Sequence, residues 1–89
     1  MAKVATFASR LRDSLIEGLK TAGLEATVDV ERIQGTKLHR VFVVADAFAK
    51  LRPSERQDLV WRIADQSLSP EERLQISMIF TVTKSELPG

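Results

Sequence analysis

Hydrophobic positions at the start of the chain follow the spacing of an amphipathic helix. They recur at steps of three and four residues, which places them on one face of a helix, with polar residues on the other. These positions are Val4, Phe7, Ala8, Leu11, Leu15, Leu19 and Ala22. Gly23 follows at once and supplies the residue that best adopts a left-handed conformation at a helix end. The pattern predicts a first helix that ends near Ala22.

After Gly23 the apolar period changes to two, which is typical of strands. Apolar and polar residues alternate over 24–31, and this predicts a half-buried strand. A turn signal at 34–37 separates this strand from a valine-rich run at 38–45, and the short connection predicts an antiparallel hairpin. Because residues 41–44 are all apolar, we predict that the second strand lies centrally in the sheet and is covered on both faces.

The second half of the chain predicts a long helix followed by a single helical turn. Pro53, and Ser54 with Gln57 three residues later, mark the start of the helix. Its predicted buried stripe consists of Leu59, Val60, Ile63, Ala64 and Leu68. Trp61 lies at the edge of that stripe. A second start signal, Ser69-Pro70-Glu71-Glu72, predicts the short helical turn.

A third strand is predicted at 76–83, where Ile76, Met78, Phe80 and Val82 alternate with other residues and should face the helices. The element order is helix, strand, strand, helix, short helical turn, strand. This order predicts an α+β fold with a three-stranded mixed sheet packed on helices, because a helical crossover returns the third strand parallel to the second. The 89 residues suffice for one domain, 1–89.

Composition excludes several kinds of chemistry. The chain has no cysteine, so it forms no disulfide and supplies no thiolate ligand or nucleophile. Thirteen basic and twelve acidic residues give a net charge of +1, which by itself indicates neither a nucleic acid nor a membrane. The serines lack an evident base partner, and Ser54 and Ser69 are better explained as helix caps. We therefore predict a protein that is not an enzyme, does not bind membranes and is cytoplasmic.

The sequence of residues 41–56, VFVVADAFAKLRPSER, resembles the BolA-like family. Asp46, Phe48 and Arg56 match positions that are typical of that family, and the similarity extends from about Leu24 to the end of the chain. The resemblance implies a class II KH-like fold and a non-enzymatic regulatory or adaptor role in stress-linked regulation of transcription. It also implies a partner, a monothiol glutaredoxin, with which BolA-like proteins share a [2Fe–2S] cluster.

The departures from the family concern that cluster. Gln57 stands where the family usually has histidine, and Phe80 stands where it usually has the histidine of its last strand. Lys50 replaces a common glycine. Because the phenylalanine ring cannot bind iron, the resemblance disfavours a cluster in this chain, and we predict no cofactor and no metal. An interaction with a monothiol glutaredoxin in iron–sulfur cluster handling is the alternative function.

The leading hypothesis for function is nucleic-acid binding. Lys50, Arg52, Arg56 and Arg62 surround the start of the second helix and could form a basic strip for DNA or RNA. Glu55 and Asp58 interleave with the arginines, however, and the chain lacks the Gly-x-x-Gly loop with which KH modules approach phosphates.

A protein partner is the second hypothesis, with His39 and Phe80 as the candidate contact residues. His39 is the chain's single histidine and is more simply an ordinary surface or sheet-edge residue than a ligand. Phe80 is predicted to be part of the core, unless its face is open to solvent, in which case Phe80 and Trp61 would mark an apolar docking patch. The polar residues on the first strand disfavour edge pairing, so we predict a monomer.

Overall fold

The elements of the computed structural model, which describes residues 6–87, follow the predicted order. The helices are α1 (Phe7–Thr21), α2 (Pro53–Ser67) and α3 (Pro70–Arg73), and two short 3₁₀ helices span Asp46–Lys50 and Lys84–Glu86. The strands are β1 (Thr27–Arg32), β2 (His39–Val44) and β3 (Ile76–Val82). No helix in this part of the chain combines the length and the apolar character needed to span a membrane.

The sheet has the order β1-β2-β3, so β2 is central as predicted. β1 pairs with β2 antiparallel, and β2 pairs with β3 parallel. The hairpin between β1 and β2 turns at Gly35, whose φ of 81° is a left-handed value that glycine adopts without a steric penalty. The parallel pairing requires the long crossover through α2 and α3. The α+β fold with a three-stranded mixed sheet is confirmed.

Helices α1 and α2 pack side by side on one face of the sheet and enclose the core. The fully buried side chains come from both helices, from the central strand and from the first 3₁₀ helix. They are Leu11, Leu15 and Leu19 of α1, Val41 and Val43 of β2, Phe48 of the first 3₁₀ helix, and Val60 of α2. The buried stripe of α2 is confirmed for Val60, Ile63 and Ala64, while Leu59 and Leu68 are partly buried beside it.

The ends of the helices follow the predicted signals with one exception. Gly23 has a φ of 85° after α1, and the hydroxyl of Ser69 accepts a hydrogen bond from the N–H of Glu72 at 3.2 Å. The prediction that Ser54 caps α2 is wrong. The N-cap is Arg52, two residues before Ser54, so the helix begins at Pro53, and the carboxylate of Glu55 accepts the N–H of Arg52 at 2.9 Å. Val4, predicted to belong to the first helix, lies outside the described residues.

Two predictions about the faces of the strands are wrong. β2 is covered on one face only, because both large helices lie on the same side, and Phe42 and Val44 are half-buried on the other side. In β3, Met78, Phe80 and Val82 turn away from the helices, while Ile79 and Thr81 turn toward them. The cause is an irregularity in the pairing: His39 is opposite Ile76 but Arg40 is opposite Met78, so one extra residue reverses the alternation.

Gly18 is the point of closest approach between α1 and α2. A Cβ atom built on Gly18 would overlap Cγ2 of Ile63. We expect Gly18→Ala to lower the free energy of unfolding by about 1–3 kcal/mol, because overpacking outweighs the better helix propensity of alanine. Urea denaturation followed by circular dichroism measures this, with Glu17→Ala on the exposed face of α1 as the control. A Gly18→Ala variant as stable as the parent chain would contradict the close contact.

Candidate functional site

The face of the sheet opposite the helices carries side chains from all three strands. β1 contributes Thr27, Asp29 and Glu31, β2 contributes Arg40, Phe42 and Val44, and β3 contributes Met78, Phe80 and Val82. Within residues 6–87 neither α1 nor α2 contacts this surface. We call it the open face.

An aromatic pair forms the centre of the open face. Phe42 and Phe80 are opposite each other in the register, and their rings are stacked with centroids 4.8 Å apart and planes 10° apart. Because this distance equals the usual spacing of neighbouring strands, the rings stand upright side by side and present their edges to solvent. Met78, which is 45% exposed, and Leu87, which is 41% exposed, add further apolar surface to the protein.

A row of carboxylates borders the aromatic pair on the β1 side. Asp29 is opposite Phe42, and Glu31 is opposite Arg40. An oxygen of Glu31 lies 2.8 Å from a terminal nitrogen of Arg40, so that charge is balanced by an exposed ion pair. Leu87, Phe42 and Val44 line a shallow groove together with Asp29 and Glu31. The open face is therefore an apolar stripe bordered on the β1 side by the carboxylate of Asp29 and by the ion pair of Glu31 and Arg40.

Arg56 does not belong to any exposed basic strip. Its side chain is 8% exposed, and the carbonyl oxygens of Phe48, Leu51 and Thr81 accept hydrogen bonds from its guanidinium at 2.9, 3.2 and 3.3 Å. A carboxylate oxygen of Glu86 accepts another at 2.8 Å. All of these partners are internal to the fold. Arg56 thus joins the start of α2 to the end of β3.

The side chain of Gln57 forms a hydrogen bond with the backbone of the edge strand β3. Its Nε2 donates to the carbonyl of Ile79 at 2.7 Å, and its Oε1 accepts the indole N–H of Trp61 at 3.2 Å. Unpaired groups along an edge strand invite pairing with other chains, and this side chain blocks part of that edge. Trp61 is half-buried against the guanidinium of Arg73, 5.0 Å from the ring centroid, and lies apart from the aromatic pair of the open face.

The other candidate residues for nucleic-acid contact are exposed. Lys50 ends the first 3₁₀ helix and Arg52 is the N-cap of α2, while Arg62 lies ten residues further along the chain. On a helix this separation is about 15 Å along the axis. Asp58 and Asp65 lie one turn before and after Arg62 on the helix surface, which weakens its attraction for phosphate. The four basic residues do not form a continuous strip, because Arg56 is turned inward.

His39 is buried, with 8% of its surface exposed, on the helix-facing side of β2. Its ring lies 5.0 Å from that of Phe7, and its Nδ1 lies 3.4 Å from the carbonyl oxygen of Gln75. Phe80 lies on the opposite face of the sheet. The structure therefore separates the two residues that the sequence proposed as one partner-binding set.

The side chains present do not fit a [2Fe–2S] site. Such clusters are held by thiolates or imidazoles, and this chain has no cysteine and one histidine. Phe80 has no ligand atom, and the amide of Gln57 is engaged by Ile79 and Trp61. Among residues 6–87 no three His, Asp or Glu side chains cluster as a metal site would require.

Sequence reasoning missed Phe42 and Met78 as surface residues and reversed the orientation of Phe80. A weak signal was present: Ile76 and Ile79 are three residues apart, a spacing that a regular strand cannot place on one face. Such spacing indicates an extra residue in the strand, as the structure contains.

The fold is that of BolA1 from Arabidopsis thaliana. That structure superposes with a TM-score of 0.69 at 23% sequence identity, over 96% of this chain and 100% of the other. No family model matches this chain. No curated protein matches it either. The predicted resemblance to the BolA-like family is thus confirmed at the level of the fold.

The buried position of Arg56 predicts a structural role. We expect Arg56→Met to lower the free energy of unfolding by about 3 kcal/mol, because three backbone carbonyls lose their donor while the apolar part of the side chain is kept. Arg52→Met, an equal change of charge at an exposed position, should change stability by less than about 0.5 kcal/mol. Urea denaturation measures both. Equal effects of the two substitutions would show that the hydrogen bonds of Arg56 do not stabilise the fold.

Low pH should weaken the ion pair between Arg56 and Glu86. The hydrogen bond from Arg56, followed by that from the backbone N–H of Thr83, holds the pKa of Glu86 below its ordinary value of 4.5. The hydrogen bond from the backbone N–H of Ser69, with a smaller one from Arg10, lowers the pKa of Glu72 in the same way. A carboxyl group with a lowered pKa in the folded state contributes stability above its unfolded pKa and loses it as the pH falls through the folded pKa.

We therefore expect thermal stability to fall as the pH drops below 4.5, and Glu86→Gln to reduce the steepness of that fall. Glu72→Gln should reduce it as well, and the double variant most of all. Melting temperatures between pH 7 and pH 3 measure the slopes. A Glu86→Gln variant with the slope of the parent chain would contradict a stabilising role for this carboxylate.

Proposed function

We propose that this chain is a non-enzymatic regulatory or adaptor protein of the BolA-like kind that acts by binding a protein partner through its open face. The observation that carries the proposal is the stacked pair Phe42 and Phe80, with Met78 exposed beside it on a surface that neither long helix covers. Exposed apolar patches that contain aromatic residues are typical of protein-binding sites.

The chemistry of the open face defines the partner. An apolar stripe accepts the apolar face of an amphipathic helix or of another ordered segment. The carboxylate of Asp29 complements a basic residue at one side of that segment, while Glu31 is already paired with Arg40. The partner is therefore a protein that presents apolar residues with a lysine or arginine beside them. A monothiol glutaredoxin, the partner implied by the BolA-like resemblance, is the first protein to test.

A protein fits the open face better than a nucleic acid does. Nucleotide bases stack on the faces of aromatic rings, whereas the stacking of Phe42 on Phe80 leaves at most one face of each ring for a base. Asp29 repels phosphates, Arg40 is paired with Glu31, and Arg56 is turned away from solvent. Regulation of transcription would then proceed through a bound protein rather than through direct contact of Lys50, Arg52 and Arg62 with DNA or RNA.

Substitutions on the open face test the proposal. We expect Phe80→Ser to weaken binding of a monothiol glutaredoxin by about 30-fold, the effect of losing a central aromatic contact. Met78→Ser, at a more exposed position, should weaken binding less and keeps the test valid if Phe80→Ser unfolds. The matched control is Leu74→Ser, which removes an exposed leucine at the end of α3. Isothermal titration calorimetry measures the affinities.

The proposal fails if Leu74→Ser weakens binding as much as Phe80→Ser, or if the parent chain binds no glutaredoxin in the titration. A parallel titration with DNA and RNA tests the rival function. Affinity that falls steeply with salt, and that Lys50→Gln with Arg52→Gln reduces while Phe80→Ser does not, would establish nucleic-acid binding in place of the proposed function.

A further inference from the structure

The two edges of the sheet are protected unequally. β3 forms one edge, and Ile79 and Thr81 direct their carbonyl oxygens away from β2. Side chains of α2 occupy both of these acceptors: Gln57 donates to Ile79 at 2.7 Å, and Arg56 donates to Thr81 at 3.3 Å. A strand added beside β3 would have to displace both side chains. The sheet is therefore closed to further strands on this side.

β1 forms the other edge, and its outer backbone groups are unpaired. The N–H of Ile33 donates to the carbonyl of Leu38 at 2.8 Å. Because residues along an antiparallel ladder turn their backbone groups alternately inward and outward, this bond directs those of Val28, Val30 and Arg32 away from β2. Within residues 6–87 these groups form no hydrogen bond. We call the outer backbone groups of these three residues the β1 edge.

The side chains beside the β1 edge define what can pair with it. Asp29 is exposed on the open face and has no ion-pair partner among the described residues. Val30 is half-buried on the helix-facing side, and Arg32 is exposed there. In an antiparallel pair, side chains opposite Asp29 and Glu31 would lie in the non-hydrogen-bonded positions, where side chains approach most closely. A pairing strand therefore needs a basic residue opposite Asp29 and an apolar residue opposite Val30.

A second copy of this chain does not meet those requirements. Antiparallel self-pairing centred on Val30 places Asp29 of one copy opposite Glu31 of the other. Self-pairing centred on Asp29 or on Glu31 places each of these carboxylates opposite its own counterpart. Like charges directly opposite each other destabilise a strand pair. The acidic residues of β1 therefore oppose a dimer and select a basic segment from a different protein.

We propose that the β1 edge binds an extended segment of a partner protein as a fourth, antiparallel strand. The segment alternates lysine or arginine on the side of the open face with apolar residues on the side of the helices. Its backbone forms hydrogen bonds mainly with Val30 and Arg32, because Val28 is only 7% exposed. Asp29 then gains the counter-charge that it lacks. This site uses the edge of the sheet and stands independently of the role proposed for the open face.

Nuclear magnetic resonance titration of the full chain tests the proposal, with an acetylated and amidated hexapeptide that alternates lysine with valine as the probe. We expect saturable shifts and slower hydrogen exchange at the amides of Val30 and Arg32. The same peptide with N-methylated valine amides keeps its charge but loses these donors, so it should bind about tenfold more weakly or not at all.

Two variants separate the backbone contact from the charge. Val30→Pro removes an outward N–H that the fold does not use, which an edge strand tolerates, and should weaken binding by about tenfold or more. Circular dichroism checks that it folds. Asp29→Lys should reverse the preference, so that a hexapeptide alternating glutamate with valine binds more tightly than the lysine peptide, and this holds the test open if Val30→Pro unfolds. The matched control is Glu17→Lys on the exposed face of α1, which should leave the preference unchanged.

Three results would overturn the proposal. The first is equal binding of the N-methylated and unmodified peptides, or shifts that do not saturate. The second is a reversal of preference by Glu17→Lys as large as that by Asp29→Lys, which indicates a response to net charge alone. The third is a dimer of the parent chain in sedimentation that Val30→Pro abolishes, which would assign the β1 edge to a second copy. None of these results bears on the glutaredoxin titration with Phe80→Ser, so the two proposals are judged separately.

Discussion

The hydrogen bonds of Arg56 connect parts of the chain that no strand pairing joins. Its guanidinium binds carbonyls that precede α2, a carbonyl of β3 and the carboxylate of Glu86. A buried guanidinium is tolerated only when its donors are satisfied, so these segments must arrive together for the fold to close. Arg56 thus holds the end of β3 and Glu86 against the start of α2, and the pairing of β3 with β2 places Phe80 opposite Phe42.

The one-sided packing of the helices decides where the chain can bind other molecules. α1 and α2 contact each other and the same face of the sheet, so a single apolar core lies between them. A sheet with helices on one side exposes its other side unless a further element covers it. The apolar residues on that side are only partly buried in an isolated chain, and a partner that covers them gains the remaining burial.

The composition of the open face decides the kind of ligand that it suits. Its centre is a stripe of apolar side chains, Asp29 lies at its border, and the charge of Glu31 is balanced by Arg40. A surface of this kind suits an extended contact with a protein. Because the whole chain has a net charge of only +1, buried apolar area contributes more to such binding than long-range attraction between charges.

The amino-acid sequence determined the order of the elements, the mixed sheet, the central place of β2, the buried stripe of α2 and the caps at Gly23 and Ser69. These follow from local periodicity and turn chemistry, which neighbouring residues encode. Tertiary structure decided that Arg56 faces inward and that Phe80 faces solvent, for which the spacing of Ile76 and Ile79 was only a weak signal in the sequence. One extra residue in β3 reverses the side-chain alternation, and the burial of a charge depends on acceptors such as Thr81 and Glu86, 25 and 30 residues away.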